Sequence, residues 1–106
     1  MKQKVFLKTL AGSRKFQRLL GGRQNLKGLR AGLVVLKPGA CVGEHSTEHK
    51  EEVLIILKGK AGLYGAQKKI SAREGSFVYI PPRIHHNVEN IGRGLLKYVY
   101  ITARPD

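Results

Sequence analysis

Five side chains able to bind a metal or move a proton fall within eight residues: His45, Glu48, His49, Glu51 and Glu52. Imidazole nitrogens and carboxylate oxygens are donors that divalent transition metals accept, and the same groups serve as general acids and bases. A continuous apolar run, Val53-Leu54-Ile55-Ile56-Leu57, follows at once. Its aliphatic content and its Lys58-Gly59 boundary predict a buried strand. The polar cluster therefore stands at the mouth of a core strand, where uncompensated polar groups are costly. The only other histidines, His85 and His86, lie in residues 75–90, GSFVYIPPRIHHNVEN. A fold that joins the two segments makes a site.

Short strands are the elements available to position these groups. Residues 1–15 read as a basic arm or edge strand around Val5-Phe6-Leu7, and residues 16–20 as a short strand closed by Gly21-Gly22. Residues 23–28 form a polar loop, and residues 29–37 a strand partly buried on both faces. Lys37-Pro38-Gly39-Ala40 has the residues of a type II turn, with proline presetting the first central position and glycine accepting positive φ at the second. Residues 41–47 read as a strand in which Cys41, Gly43, His45 and Thr47 share one face. On that parity Cys41 lines the cavity beside His45 or packs as a small buried hydrophobe. Residues 48–51 turn the chain into the buried strand. Residues 61–64 and 68–71 form a hairpin around Gly65-Ala66-Gln67, and Arg73-Glu74-Gly75 is a further turn. Residues 77–80 make a strand stopped by Pro81-Pro82, and residues 85–88 and 95–102 are the last two strands. No segment carries a 3.6-residue apolar period. Short strands, thirteen glycines and regular turns point to an all-β sandwich or barrel.

One hundred and six residues suit one domain, residues 1–106, with a barrel core over about 16–104. No apolar stretch reaches the roughly 18 residues of a membrane span, and the basic N-terminus lacks the apolar region of a secretory signal. A single cysteine excludes an internal disulfide and fits a reducing, cytoplasmic setting. The net charge is +13, and residues 1–43 hold ten Lys and Arg and no acid. Such a basic half suits an anionic substrate, an anionic surface or nucleic acid, or is simply a solvated face. Neither a helix-turn-helix nor an aromatic RNA-binding pattern accompanies it.

The spacing of these residues resembles the two motifs of the cupin superfamily. Gly39, His45, Glu52 and Gly59 fall on G-x5-H-x-H-x(3,4)-E-x6-G, with Thr47 standing where the second histidine is usual. Gly75, Pro81, His86 and Asn90 fall on G-x5-P-x-G-x2-H-x3-N, with Arg83 at the usual glycine. The motifs and the segment between them, residues 39–90, cover about half of the chain. The resemblance implies an all-β, single-domain jelly-roll β-barrel, the double-stranded β-helix of that family. It also implies a divalent transition metal held by His45, Glu52 and His86, with Thr47 at the remaining ligand position; His49, four residues past His45 in a turn that can bend inward, is a further candidate for that position. Two imidazoles and one carboxylate leave coordination positions open and suit iron, manganese, nickel or zinc. The competing arrangement is a metal-free, hydrogen-bonded cluster of the same three side chains.

Around the site, Arg83 near the barrel mouth is placed to grip a carboxylate or phosphate. Tyr79 and Tyr98 are candidate substrate contacts, and Tyr64, Phe77 and Tyr100 complete the core and pocket walls. His85, of opposite parity to His86, should face outward. The resemblance leaves two functions open: a metal-dependent enzyme acting on a small anionic molecule, dioxygenase-, isomerase- or decarboxylase-like, and a non-catalytic barrel that binds or senses such a molecule. It also implies a homodimer to which residues 1–20 contribute. Nucleic-acid contact through the basic half is a third possibility.

Overall fold

The computed structural model describes residues 5–21 and 28–104. Its strands are β1 (Phe16–Leu20), β2 (Arg30–Leu36), β3 (Glu51–Lys58), β4 (Lys60–Gly65), β5 (Lys68–Arg73), β6 (Phe77–Ile80), β7 (His86–Asn90) and β8 (Leu96–Ala103). They form a five-stranded sheet in the order β1-β2-β8-β3-β6 and a three-stranded sheet in the order β5-β4-β7. Every strand pairing is antiparallel. Among the described residues there is no helix.

The large sheet is built on β8, which pairs with β2 on one side and β3 on the other. The apolar run of β3 divides by strand alternation. Glu52, Leu54 and Ile56 are buried, while Val53, Ile55 and Leu57 are half-buried on the opposite face. Leu54 and Ile56 join Val34, Leu36, Leu96 and Tyr98 of the same sheet and Ala61, Leu63, Ala72 and Val88 of the small sheet in one core between the two. On the outer face of the large sheet a second cluster gathers Leu33, Val35 and Val99, with Leu19, Leu57 and Ile101 against it.

Turn chemistry follows the sequence at most corners. Gly39 has φ 82°, and the Ala40 N–H donates to the Lys37 carbonyl at 3.0 Å. The β4–β5 turn is the mirror-image form that suits hairpin twist, with Ala66 and Gln67 at φ 50° and 63°. Residues 5–15 carry no strand. Residues 1–4 of the expected arm and 23–27 of the expected loop lie outside the described residues.

Residues 41–47 depart from the expected strand. They run beside β7 through two isolated pairings, Cys41 with Glu89 and His45 with His86. Gly43, at φ 102°, breaks the extended path between them, and its N–H donates to Asn87 Oδ1 at 2.9 Å. A break in the path cancels the shared parity of Cys41 and His45. Cys41 is accordingly exposed, neither lining the cavity nor packing in the core.

Candidate metal centre

The three expected donors arrive from two sheets and one irregular segment. His45 and His86 exchange backbone hydrogen bonds, His45 N–H to the His86 carbonyl at 2.9 Å and His86 N–H to the His45 carbonyl at 2.8 Å. A directly opposed pair puts both side chains on one face, and the ring centroids stand 4.3 Å apart. Glu52 comes from β3 across the core, on the same parity as Leu54 and Ile56. One donor atom from each of His45, Glu52 and His86 lies within 4.8 Å of the others. Glu52 and His86 are 6% and 4% exposed, so this is a buried acid facing a buried imidazole.

Backbone carbonyls set the imidazole tautomers. His45 Nδ1 lies 2.8 Å from the Gly43 carbonyl, and His86 Nδ1 lies 2.9 Å from the Ile84 carbonyl. A carbonyl oxygen only accepts, so each Nδ1 carries a proton and donates it to the residue two positions earlier. Each Nε2 is thereby the nitrogen able to accept a metal, in the outer-shell arrangement typical of metal-bound histidine. His86 Nε2 stands 2.9 Å from Glu52 Oε1. Without a metal the pair shares a proton across that contact. Burial pulls the His86 pKa down, but the hydrogen bonds to Glu52 and to the Ile84 carbonyl, and the Glu52 charge, outweigh it and leave the pKa above its ordinary value. Two Nε2 atoms and one carboxylate oxygen fit a divalent transition metal, whose bonds of about 2 Å need only side-chain adjustment from these separations.

A cavity of about 380 Å³ reaches the cluster, with His45, Glu52, Thr47, Tyr98, Tyr100 and Thr102 in its wall. Tyr98 is 3% exposed. Burial first, then the Glu52 charge and Tyr100, push its phenol pKa well up, so it faces the cavity as a neutral hydroxyl. Thr102 and Phe16 also line this cavity and were not singled out from sequence. Thr102 was findable, because it shares a face with Tyr98 and Tyr100 along β8.

Of the other expected site residues, Thr47 stays in this cavity wall and the rest lie elsewhere. The Thr47 hydroxyl donates to the Lys50 carbonyl at 2.8 Å and closes the turn before β3. His49 is exposed in that turn and outside the donor group. His85 is exposed, as its parity requires. Tyr79 is not a wall of the metal-side cavity. It is 51% exposed on the outer face of edge strand β6. Its hydroxyl donates to Glu51 Oε1 at 2.7 Å, which holds the phenol above its usual pKa. Phe77, of the same parity, is 67% exposed. Both departures have one cause: β6 turns Val78 and Ile80 inward and these two rings outward. Tyr64 donates to Glu89 Oε1 at 2.9 Å and walls a different cavity, which Arg83 also lines.

The protein-family model of the cupin domain matches residues 32–102. An uncharacterized protein of Methanocaldococcus jannaschii is 34% identical over 68 residues, which is 60% of this chain and 54% of that protein. The match thus spans about half the length of that curated relative. Among solved structures, an RmlC-like cupin family protein from the same organism, with a double-stranded β-helix fold, superposes with a TM-score of 0.79. It is 24% identical, and the match covers 98% of this chain and 93% of that one. A Thermotoga maritima protein named a predicted oxalate decarboxylase has a TM-score of 0.79 at 23% identity, covering 85% of this chain and 79% of that one. Likenesses at these identities show the fold.

Proposed function

The chain belongs to the cupin family, and from that premise we propose that it is a barrel that holds a divalent transition metal through His45, Glu52 and His86 and binds a small anionic molecule there. The observation that carries the reading is the convergence of one donor atom from each of His45, His86 and the buried Glu52, with both Nδ1 atoms occupied by the Gly43 and Ile84 carbonyls. A bound metal would supply positive charge and open coordination positions. The chain would supply the rest: Glu52 the balancing charge, Tyr98 and Tyr100 the cavity wall, and the overall +13 charge the attraction for an anion.

Protein purified without chelator should carry close to one equivalent of iron, manganese, nickel or zinc by elemental analysis. Adding back the ion to stripped protein at about a hundred times its dissociation constant should stabilise the fold by about 2.7 kcal/mol. Less than about a tenth of an equivalent, with no thermal shift for any of the four ions, would sink the metal reading. A specific contact favours the second reading, a barrel that works without metal: Glu52 and His86 already satisfy each other at 2.9 Å. The same titration separates the two.

We also propose that a second copy of the chain covers the outer face of the large sheet. The support is apolar surface in one region: Val53, Ile55 and Leu57 half-buried on β3, with Phe77 and Tyr79 exposed beside them on β6. Val5 and Leu7 of the N-terminal segment are also exposed, at 102% and 87%. Light scattering should return twice the chain mass at micromolar concentration, and the mass of one chain would overturn the proposal.

A further inference from the structure

We propose that the cleft between the β4–β5 turn and the loop joining β6 to β7 binds the phosphate group of a small molecule, at a site separate from the metal. The cleft has a volume of about 570 Å³, within the range of small-molecule sites. Lys68 and Lys69 come from one wall, and Arg83 and His85 from the other. Glu44 is the only acid in the lining, and among the described residues no carboxylate lies within ion-pair distance of Lys68, Lys69, Arg83 or His85. Two ammonium groups and a guanidinium that converge on a concavity without a carboxylate partner are suited to an anion, and a guanidinium can meet a phosphate with two parallel hydrogen bonds. Tyr64 adds a ring, over which the Lys69 ammonium already stands at 5.4 Å.

Backbone conformation shapes both walls of the cleft. The described non-glycine residues with positive φ are Glu48, Ala66, Gln67 and Arg83. Three of them line this cleft, and the fourth is tied to it, since the Glu48 carbonyl accepts the Arg83 N–H at 2.7 Å. Ala66 and Gln67 adopt positive φ as the hairpin turn requires, whereas Arg83 holds it in a loop, and strain of that kind gathers at ligand clamps. Arg83 pays the strain that a glycine would avoid at φ 62°, and what it gains is a guanidinium in the cleft wall. The site is distinct from the metal: His85 faces this cleft while His86, the next residue, turns inward to Glu52. A cleft of this size takes a phosphorylated small molecule, whereas a nucleic-acid duplex needs an extended basic stripe.

The probe is inorganic pyrophosphate, titrated calorimetrically into chelator-treated protein so that no metal carries the anion. Saturable binding is expected, with half-saturation below about 1 mM. Arg83→Gly should weaken it roughly tenfold or more while leaving the melting temperature equal or higher, because glycine accepts the left-handed conformation without strain. Lys68→Ala, on an exposed position of the hairpin, should weaken it in the same direction and serves if the glycine variant does not fold. Absence of saturable binding overturns the proposal, as does unchanged affinity in both variants. So does a DNA duplex that binds more tightly than pyrophosphate and loses affinity in the same variants, which would make the partner nucleic acid.

Discussion

Chelator-stripped protein carrying His86→Ala should unfold about 3–5 kcal/mol more easily than the stripped parent, the cost of leaving one member of a buried ion pair alone. Glu52 is nearly sealed from water and its hydrogen bond is to His86 Nε2. With the ring gone, the carboxylate must ionise in the core or take up a proton at neutral pH, and either choice weakens the fold. For a chain of this length the loss corresponds to a melting temperature lower by more than about 10 °C. The same change should lower affinity for zinc or manganese by more than about a hundredfold, since altering outer-shell partners alone costs metal sites 10–100-fold. Adding Glu52→Gln to His86→Ala should return part of the stability and none of the metal affinity. A His86→Ala protein as stable as its parent would mean that Glu52 is not a buried charge held by this ring.

The pH dependence of the stripped parent carries a definite sign. The folded His86 pKa lies above the ordinary 6.5, so folding takes up a proton on this ring. Its contribution is fully present below about pH 6.5 and is lost as the pH climbs through the raised value. Urea denaturation from about pH 6 upward should therefore show the stripped parent losing stability that His86→Ala never had. Metal reverses the preference, because the ion takes the Nε2 lone pair and expels the shared proton. Metal affinity should accordingly rise with pH across the window in which the apo fold weakens.

Residue type and spacing made the donors readable. Type and spacing alone leave Glu48, His49, Glu51 and His85 beside them, and it is the resemblance to the cupin motifs that singles out His45, Glu52 and His86, the three that converge. Parity arguments then succeeded on regular strands. Tyr98 and Tyr100 of β8 share the cavity wall, as alternation requires, and His85, one residue before β7, is exposed where His86 is buried. The same arguments failed where a strand is irregular or its partner unknown. Cys41 lost its place beside His45 because Gly43 breaks the path between them. Phe77 and Tyr79 were assigned to the interior because aromatic rings usually bury, but β6 is the edge of its sheet and points them out. Strand order was illegible for a more general reason. The pairing of β8 with both β2 and β3 is a long-range choice that no local window contains. Arg83 is an intermediate case: its place at a motif glycine was visible in the sequence, and the left-handed φ of 62° came only with the structure. The cleft it faces depends on the distant β4–β5 turn.

Asn90→Ala should cost about 3 kcal/mol or more of stability without moving any metal donor. The side chain is 1% exposed and all its hydrogen-bonding atoms are engaged. Nδ2 donates to the carbonyls of Leu36 and Gly94, both at 2.8 Å, and Oδ1 accepts the Gly92 N–H at 2.9 Å. Asn90 thus ties the end of β2 to the connection between β7 and β8. Its own carbonyl accepts the Gly39 N–H and its own N–H donates to the Ala40 carbonyl, so the turn before the segment that carries His45 hangs on the same residue. Alanine takes the amide donor away from the buried Leu36 carbonyl and opens a small cavity, while the exposed Gly94 can turn its carbonyl to water. Asparagine and aspartate have nearly the same shape, which makes Asn90→Asp the sharper test. A carboxylate cannot donate to the two carbonyls that Nδ2 now serves, and it would bring a buried negative charge against them. This variant should be less stable than Asn90→Ala at neutral pH and should recover as the pH falls, because the protonated acid regains one donor. Any protein that stays folded should still bind metal with parental affinity. Equal stability of the aspartate variant and the parent at neutral pH would show that these two carbonyls do not depend on the Asn90 amide.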